Sequence, residues 1–426
     1  MIDTPKTAEV TPRSAVQSAA SWLTPHRIRA QAVVLALCLW GVCAVDFATP
    51  GLFDRAGNIK FQDFLPLYTS GQLITHGRAN ELYDQQVMAN SLLAVVGQSR
   101  VRLLNLYGPQ VASVFAPLAR FSFPVAARIW VVSSLLAFFA CVYFVWKSCS
   151  ALRSHFGIAA LCAIAFPPLF HFFVRGQLSV PVLGCFTAAF LAFRAERNWL
   201  AGVALGFLIF KPQFLVAIPI VLLLVHAWKA LFGLVVGAGL QWALTSLYFG
   251  PAVMHAYFDT LWHISRVIGG IELSLAPIQM HSLRSFWTLL IPRPEISLAL
   301  YILSSIAVIL IAAEVWKSSA ALALRFTALT IAAVLVNPHL FVYDLLVLAP
   351  ALLLLVDWIL THQRHPATGA LSLLTYLSFM LPLLGPLSRW THVQLSVLAF
   401  VALLCLLWQV SGTPSHKLAS DESAVV

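Results

Sequence analysis

Long apolar runs alternate with short polar segments along most of the chain, and this pattern predicts membrane-spanning helices. A helix needs about 20 mostly apolar residues to cross the hydrocarbon core of a bilayer. The pattern therefore predicts an all-α polytopic integral membrane protein, a bundle of about 12 transmembrane helices with surface helices in its first outer loop. The predicted crossings are residues 30–48, 124–146, 157–174, 178–194, 199–210, 213–228, 231–249, 295–316, 321–337, 340–358, 367–385 and 391–411.

Two of these crossings, 199–210 and 213–228, are short, and the sequence "FKPQF" joins them. Pro212 lacks a backbone N–H and breaks a continuous helix. We therefore expect Lys211 and Gln213 at an outward-facing turn that dips into the membrane. Non-helical backbone at that depth must line a cavity or be buried in protein.

Composition supports a membrane protein and excludes several function classes. Hydrophobic residues make up 60% of the chain and charged residues only 10%, whereas soluble domains carry about 25% charged residues. The net charge of +10 comes mostly from loop Lys and Arg, which orient helices and meet lipid headgroups, so it does not indicate nucleic-acid binding. The seven cysteines lie in apolar runs or in a short loop, so we expect neither disulfides nor a metal cluster.

The distribution of Lys and Arg among the short loops predicts the topology. Positive residues in short loops face the cytoplasm, which places both termini on the cytoplasmic side of the cytoplasmic (inner) membrane. Residues 1–29 are then a disordered cytoplasmic tail, residues 30–411 a single transmembrane domain, and residues 412–426 a second cytoplasmic tail. Two long loops, 49–123 and 250–294, lie on the outer (periplasmic) face.

The first outer loop holds the acid Asp63 in "KFQDFLPLYTSG", in a chain with only 16 Asp and Glu residues. A lone acid in a loop is most often solvated or caps a helix, and that interpretation stays open for Asp63. The same loop contains the apolar segment 107–121, which is too short to span a membrane. It is predicted to form a helix that lies on the outer surface or re-enters from it.

Unusual polar residues collect in the segments predicted to face outward, whereas the centres of the crossings are nearly free of charge. An acid near cations and a histidine at the lipid boundary suits group transfer from a lipid phosphate. A carboxylate can take the proton of an acceptor hydroxyl, and Arg, Lys or His donors can stabilise a leaving phosphate. Snorkelling cations, a capping histidine and a hydrogen-bonded Tyr–Asp pair are the structural alternatives. The residues are Asp63, Tyr68, Glu81, Tyr83, Asp84, Tyr107, Arg175, Gln177, Lys211, Gln213, Arg266, His281, Arg284, His339, Tyr343 and Asp344.

Four segments, in chain order, carry a family resemblance: "QDFLPLYTSGQLITHGRANELYD", "YGPQVASVFAPLARFSFPVAARIW", "RGQLSVPVLGCFTAAFLAFRAERNWLAGVALGFLIFKPQF" and "NPHLFVYDLLVLAP". Together they resemble glycosyltransferase family 87. The resemblance implies a GT-C fold and a polyprenyl-phosphate sugar donor. It also implies an inverting transfer of a hexose, with mannose the expected sugar, to a glycolipid or glycan acceptor on the outer face.

The motifs GxxxxGK[ST], HExxH, GxSxG and DxD are absent from the sequence, so nucleotide hydrolysis and zinc proteolysis lack support.

The resemblance also implies roles for individual residues. Asp63 is the expected general base. The expected ligands of the donor phosphate or sugar are Lys211, Arg175, Gln177, His339, Arg284 and Gln213, and the residues expected to orient the sugar or acceptor are Tyr68, Tyr107, Tyr343 and Asp344. No metal ligand and no cofactor are expected, since the lipid-linked sugar is a substrate. The expected partners are that donor, the acceptor and membrane lipids.

Two other functions remain open at this point. The break at Pro212 resembles the discontinuous helices that bind substrates in transporters, so the chain can instead be a transporter or flippase of a lipid-linked sugar. The absence of charge in the centres of the crossings argues against that function. A non-catalytic scaffold is the third possibility. A transferase requires Asp63, Lys211 and His339 to converge on one site.

Overall fold

The computed structural model describes residues 15–97, 105–263 and 277–412. Arg266 and the outer parts of both predicted tails lie outside the described residues. Within the described ranges the chain is helical, and its β pairing there is limited to the isolated bridges Phe53–Ile59 and Met280–Phe341. The all-α prediction is therefore confirmed.

The α-helices of the described ranges are numbered in chain order. They are α1 Ala15–Ala20, α2 Pro25–Phe47, α3 Leu65–Thr75, α4 Gln85–Val96, α5 Pro109–Phe115, α6 Phe123–Ser148, α7 Phe156–Ile164, α8 Pro167–Arg175, α9 Ser179–Arg194, α10 Asn198–Gly206, α11 Ile218–Leu224, α12 Trp228–Trp262, α13 Leu283–Leu290, α14 Pro294–Lys317, α15 Leu322–Leu335, α16 Leu348–Thr361, α17 Thr368–Met380, α18 Ser388–Thr391 and α19 Leu395–Gly412. Helices α3, α4 and α5 lie in segment 49–123, where surface helices were predicted, and the outward orientation of that segment stays a prediction.

Length and hydropathy identify seven membrane-spanning candidates among the described helices. An eighth is added if Leu152–Ile164 and Pro167–Arg175, which meet at a 45° bend, form one span. The other predicted crossings coincide with the shorter apolar helices α9, α10, α11 and α15. The described helices are consistent with a polytopic membrane protein, and the count of twelve stays a prediction. The seven are Pro25–Phe47, Phe123–Ser148, Trp228–Trp262, Pro294–Lys317, Val342–Thr361, Thr368–Thr391 and Leu395–Gly412.

Large apolar side chains lie exposed on these long helices. Leu37 on α2, Leu136 on α6 and Leu303 on α14 are examples. Exposing such side chains to water would forfeit about 1.5–3 kcal/mol each, whereas lipid tails solvate them without cost. The surface of the bundle therefore fits a hydrocarbon solvent.

Four glycines bring α10 and α12 into backbone contact. A Cβ atom at Gly202 or Gly206 would overlap backbone atoms of α12, and one at Gly233 or Gly237 would overlap backbone atoms of α10. Small residues spaced four apart let membrane helices approach closely in this way. The short helix α10 is thereby fixed to the much longer α12, which steadies the "FKPQF" turn that follows it.

The start of α2 differs from the predicted boundary, because helical structure begins inside the segment 1–29 that was expected to be disordered. Thr24 accepts a hydrogen bond from the backbone N–H of Arg27 at 3.4 Å, and Pro25 occupies the first helical position. Both features favour a helix start. Helix α1 packs against α17, so packed helical structure is already present before the first apolar run.

Candidate active site

Asp63 lies in a 3₁₀ turn, Gln62–Phe64, that leads directly into α3. The residue just before this turn, Phe61, adopts a left-handed conformation with φ of 56°, which is uncommon for a residue other than glycine. Phe64 is fully buried, with its ring 5.6 Å from that of Phe115 and 6.5 Å from that of Trp130. This anchor fixes the turn, and the neighbouring Asp63 side chain remains 17% exposed.

Gln177 is the centre of a hydrogen-bond network around Asp63. Its Nε2 donates to Asp63 Oδ2 at 2.8 Å and to the Tyr343 hydroxyl at 3.3 Å, and its Oε1 accepts from the Tyr107 hydroxyl at 3.0 Å. The Gln177 side chain is buried, so these bonds form in a poorly hydrated place where they are strong. One amide therefore joins four segments that lie far apart in the sequence.

Gly176 explains how the "RGQ" segment reaches Asp63. It ends α8 with φ of 73°, a left-handed conformation that glycine adopts readily, and a Cβ there would lie 2.9 Å from the Phe64 Cβ. Its carbonyl accepts a hydrogen bond from Trp130 Nε1 at 3.0 Å. The tight turn lets Arg175 and Gln177 both face Asp63, with an Arg175 guanidinium nitrogen 3.7 Å from Asp63 Oδ1.

A buried ion pair lies beside this network. Lys211 sits between the 3₁₀ turns Phe207–Phe210 and Pro212–Leu215, as the proline predicts, and its Nζ contacts Asp344 Oδ1. Ser179 Oγ donates to the same carboxylate oxygen at 2.9 Å. Lys211 and Asp344 are each only 2% exposed. Within the non-helical turn, Lys211 is therefore buried in protein, whereas Pro212 is exposed.

The charged groups of the network act on one another. Burial raises the pKa of Asp63 above its usual value of 3.8, whereas Arg175, the hydrogen bond from Gln177 and Lys211 oppose that rise. Burial lowers the pKa of His339, and Lys211 lowers it further while Asp344 opposes the change. Ring contacts bring these groups together at Tyr343, which Gln177 joins to Asp63. Lys211 Nζ lies 5.6 Å from the Tyr343 ring centroid, and the His339 ring reaches Tyr343 through the ring of Phe341, at 4.9 Å and 5.3 Å.

The structure does not join every predicted site residue to Asp63. The Tyr68 hydroxyl donates to the carbonyl of Phe121 at 2.8 Å, so this side chain ties α3 to the start of α6 instead of facing the network. Arg284 lies over the ring of Tyr301 at 5.8 Å. Gln213 is half-buried two residues beyond Lys211, and within the described ranges its side chain makes no hydrogen bond to the network.

Sequence reasoning missed two residues near the site. Ser179 supports Asp344, and Asn337 is fully buried with its Oδ1 accepting from the backbone N–H of His339 at 2.9 Å. Ser179 follows Gln177 by two positions and Asn337 begins "NPH", so proximity to the family motifs was the available signal. No group of three His, Cys, Asp or Glu side chains that could hold a metal occurs in the described part of the chain.

Comparison with known proteins identifies one family. A model of glycosyltransferase family 87 matches residues 105–339, a stretch that includes Tyr107, the "RGQ" segment and Lys211. None of the curated proteins and none of the solved structures matches the chain significantly. The family match covers more than half of the sequence, and the chain belongs to glycosyltransferase family 87 and is a glycosyltransferase.

Proposed function

We propose that the chain is an inverting hexosyltransferase that takes its sugar from a polyprenyl-phosphate donor. Mannose is the sugar we propose. It would transfer the sugar to a hydroxyl of a glycolipid or glycan on the outer face of the cytoplasmic membrane. The observation that carries this proposal is the environment of Asp63. Its carboxylate is largely buried, yet it makes one short hydrogen bond and one longer contact with Arg175.

Asp63 is suited to act as the general base. Burial raises the pKa of its carboxyl group, which makes the ionised form more basic, while Arg175 and Gln177 favour ionisation. The carboxylate takes the proton of the acceptor hydroxyl as the acceptor oxygen bonds to C1 of the sugar. The bond between C1 and the phosphate oxygen breaks, and its electron pair leaves with polyprenyl phosphate.

The pairing of Asp344 supports inversion. A retaining transfer through a covalent sugar intermediate needs a second carboxylate as nucleophile, close to the first. Asp344 is held by Lys211 and Ser179 and is only 2% exposed, so it is poorly placed to attack a sugar carbon. A single displacement needs one base alone, and a β-linked lipid sugar would then give an α-linked product.

The test is transfer by the purified protein in detergent or nanodiscs. We expect sugar from polyprenyl-phosphate mannose to appear on a component of a membrane lipid extract, detected by mass spectrometry with radiolabelled donor as a second readout. Polyprenyl-phosphate glucose measures sugar choice, and a nucleotide-linked mannose measures donor class. Transfer from the nucleotide sugar alone, or from no polyprenyl-phosphate sugar, would refute the proposal.

A further inference from the structure

The charge balance of the site leaves the donor phosphate without an evident partner. Lys211 is paired with Asp344, and Arg175 faces Asp63. Each cation is thus balanced by a carboxylate, and binding a phosphate through either would compete with that carboxylate. A lipid phosphate in a poorly hydrated site needs donors whose charge is not already compensated.

Arg284 is such a donor. It is the second residue of α13, its guanidinium lies 5.8 Å from the Tyr301 ring centroid, and one terminal nitrogen is buried without a hydrogen-bond partner in the described structure. The ion pairs found among the described residues do not include Arg284. A buried guanidinium nitrogen that donates to nothing is costly, so a missing acceptor is the simplest explanation.

Asn337 has the same deficiency. Its side chain is fully buried, its Oδ1 is used by the backbone N–H of His339, and its Nδ2 has no partner among the described residues. The Asn337 group without a partner is therefore a hydrogen-bond donor, as is the guanidinium nitrogen of Arg284 without a partner. Two unmatched donors of different chemistry call for an acceptor, and an anion fits both.

Backbone pairing brings together the segments that carry Arg284 and Asn337. Met280 and Phe341 form an antiparallel bridge, and the His281 N–H donates to the Leu340 carbonyl at 3.0 Å. This pairing sets the start of α13 beside the segment that contains Asn337. On the other side, the Tyr301 hydroxyl, under Arg284, donates to the Val336 carbonyl at 2.7 Å.

We propose that Arg284 and Asn337 form a phosphate-binding position, and that it holds the phosphate of the lipid donor during sugar transfer. The guanidinium supplies charge and paired N–H groups that match phosphate oxygens, and the Asn337 amide supplies a neutral donor. His339 follows Asn337 by two residues, and its ring reaches Tyr343 of the Asp63 network through the ring of Phe341, at centroid distances of 4.9 Å and 5.3 Å. The position therefore adjoins the Asp63 region. Identifying the phosphate as the donor's rests on the proposed function.

Binding of sugar-free polyprenyl phosphate tests the position without requiring transfer. Affinity is measured in detergent by intrinsic fluorescence for the wild type, Arg284→Gln, Arg284→Lys and Asn337→Leu. Losing a charged hydrogen bond to phosphate should weaken binding about tenfold or more in Arg284→Gln. Arg284→Lys should retain part of the affinity, and Asn337→Leu should lose several-fold.

Arg325 offers a matched control. Its guanidinium also lies 5.8 Å from an aromatic ring, that of Trp316, and also has a buried unpartnered nitrogen. It sits at the start of α15, about 20 Å along that helix from Asn337. Arg325→Gln should therefore leave binding of polyprenyl phosphate unchanged. An equal loss in Arg325→Gln and Arg284→Gln would mean a general structural effect and would overturn the inference.

Phosphatidylglycerol is the second probe, since a lipid headgroup offers the same phosphate chemistry. If Arg284→Gln weakens binding of phosphatidylglycerol and not of polyprenyl phosphate, the donor assignment is overturned. Unchanged affinity for both lipids in Arg284→Gln and Asn337→Leu, with normal size-exclusion profiles, overturns the position itself. A wild type that binds polyprenyl phosphate but transfers no sugar would refute the proposed function alone.

Discussion

Two carboxylates near opposite ends of the bundle, Asp63 and Asp357, are held in very different ways. Asp63 accepts one short hydrogen bond, at 2.8 Å from Gln177, and has Arg175 at 3.7 Å. Asp357, near the end of α16, accepts from the backbone N–H groups of Ser150, Ala151 and Leu152 at 2.8–3.0 Å. The Ser150 hydroxyl also donates to it at 3.4 Å.

The difference separates a reactive carboxylate from a structural one. A carboxylate has about four lone-pair positions, and Asp357 uses them to hold the loop that follows α6. Asp63 keeps acceptor capacity in a largely buried place, which is what removing a proton from a substrate requires. Buried polar groups normally find partners, so a largely buried acid that accepts a single hydrogen bond among the described residues marks the candidate active site better than its charge does.

Replacing Asp63 tests this contrast most directly and should have the largest effect. Asp63→Asn keeps the size of the side chain and removes the base, so we expect transfer to fall about 10²–10⁴-fold, measured as kcat with a polyprenyl-phosphate sugar. Asp357→Asn is the matched control, and its folded fraction should retain transfer within a few-fold. Equal activity losses in the two variants would erase the distinction.

A third acid, Asp344, is the most deeply buried of the three and should behave as a structural group with a large stability effect. Asp344→Leu leaves Lys211 buried without a counter-charge, which should lower the free energy of unfolding by about 3–5 kcal/mol. The double variant Lys211→Met/Asp344→Leu should recover much of that loss, because replacing both ions with apolar groups removes the desolvation penalty. Thermal unfolding in detergent measures both. A double variant no more stable than the single one would contradict this account of the pair.

Asp357→Asn should cost less, because an amide oxygen still accepts some of the bonds from the loop. We expect a loss of about 1–3 kcal/mol in unfolding free energy, seen as a lower midpoint in thermal unfolding. The loop after α6 should also become more accessible to limited proteolysis. Asp54→Asn, on an exposed loop where the carboxylate accepts from Asn58, is the control and should change stability less.

The contrast also shows what could be predicted from the sequence. Apolar runs located the helices, because hydropathy is local, and "FKPQF" located a break, because Pro212 excludes a continuous helix. How many hydrogen-bond donors surround a carboxylate depends on residues that are distant in the sequence. Asp63 and Gln177 are 114 residues apart, and Lys211 and Asp344 are 133 residues apart. Nothing in the "YD" pair, Tyr343 and Asp344, indicates that Asp344 forms its ion pair with Lys211.

Tyr68 and Tyr107 give the same lesson for neutral residues. Both are tyrosines of segment 49–123, and both were expected to orient the sugar or acceptor. The hydroxyl of Tyr107 reaches Gln177, whereas that of Tyr68 reaches the carbonyl of Phe121. The direction of each side chain follows from how α3 and α5 pack together, which no pattern in the loop sequence specifies.

The smallest effect we predict is a pH shift that tests how Asp63 is tuned. Burial raises the pKa of Asp63 and Arg175 lowers it, so Arg175→Gln should raise that pKa further. Activity that needs the ionised carboxylate is lost as pH falls through the pKa, so the acid limb of kcat/KM should move to higher pH. Arg128→Gln is the control, since its Nε donates to the Pro124 carbonyl and not to Asp63. An acid limb that stays in place in Arg175→Gln, in an enzyme still active at neutral pH, would mean that Arg175 does not tune the base. The groups that oppose the raised pKa of Asp63 would then be Gln177 and Lys211.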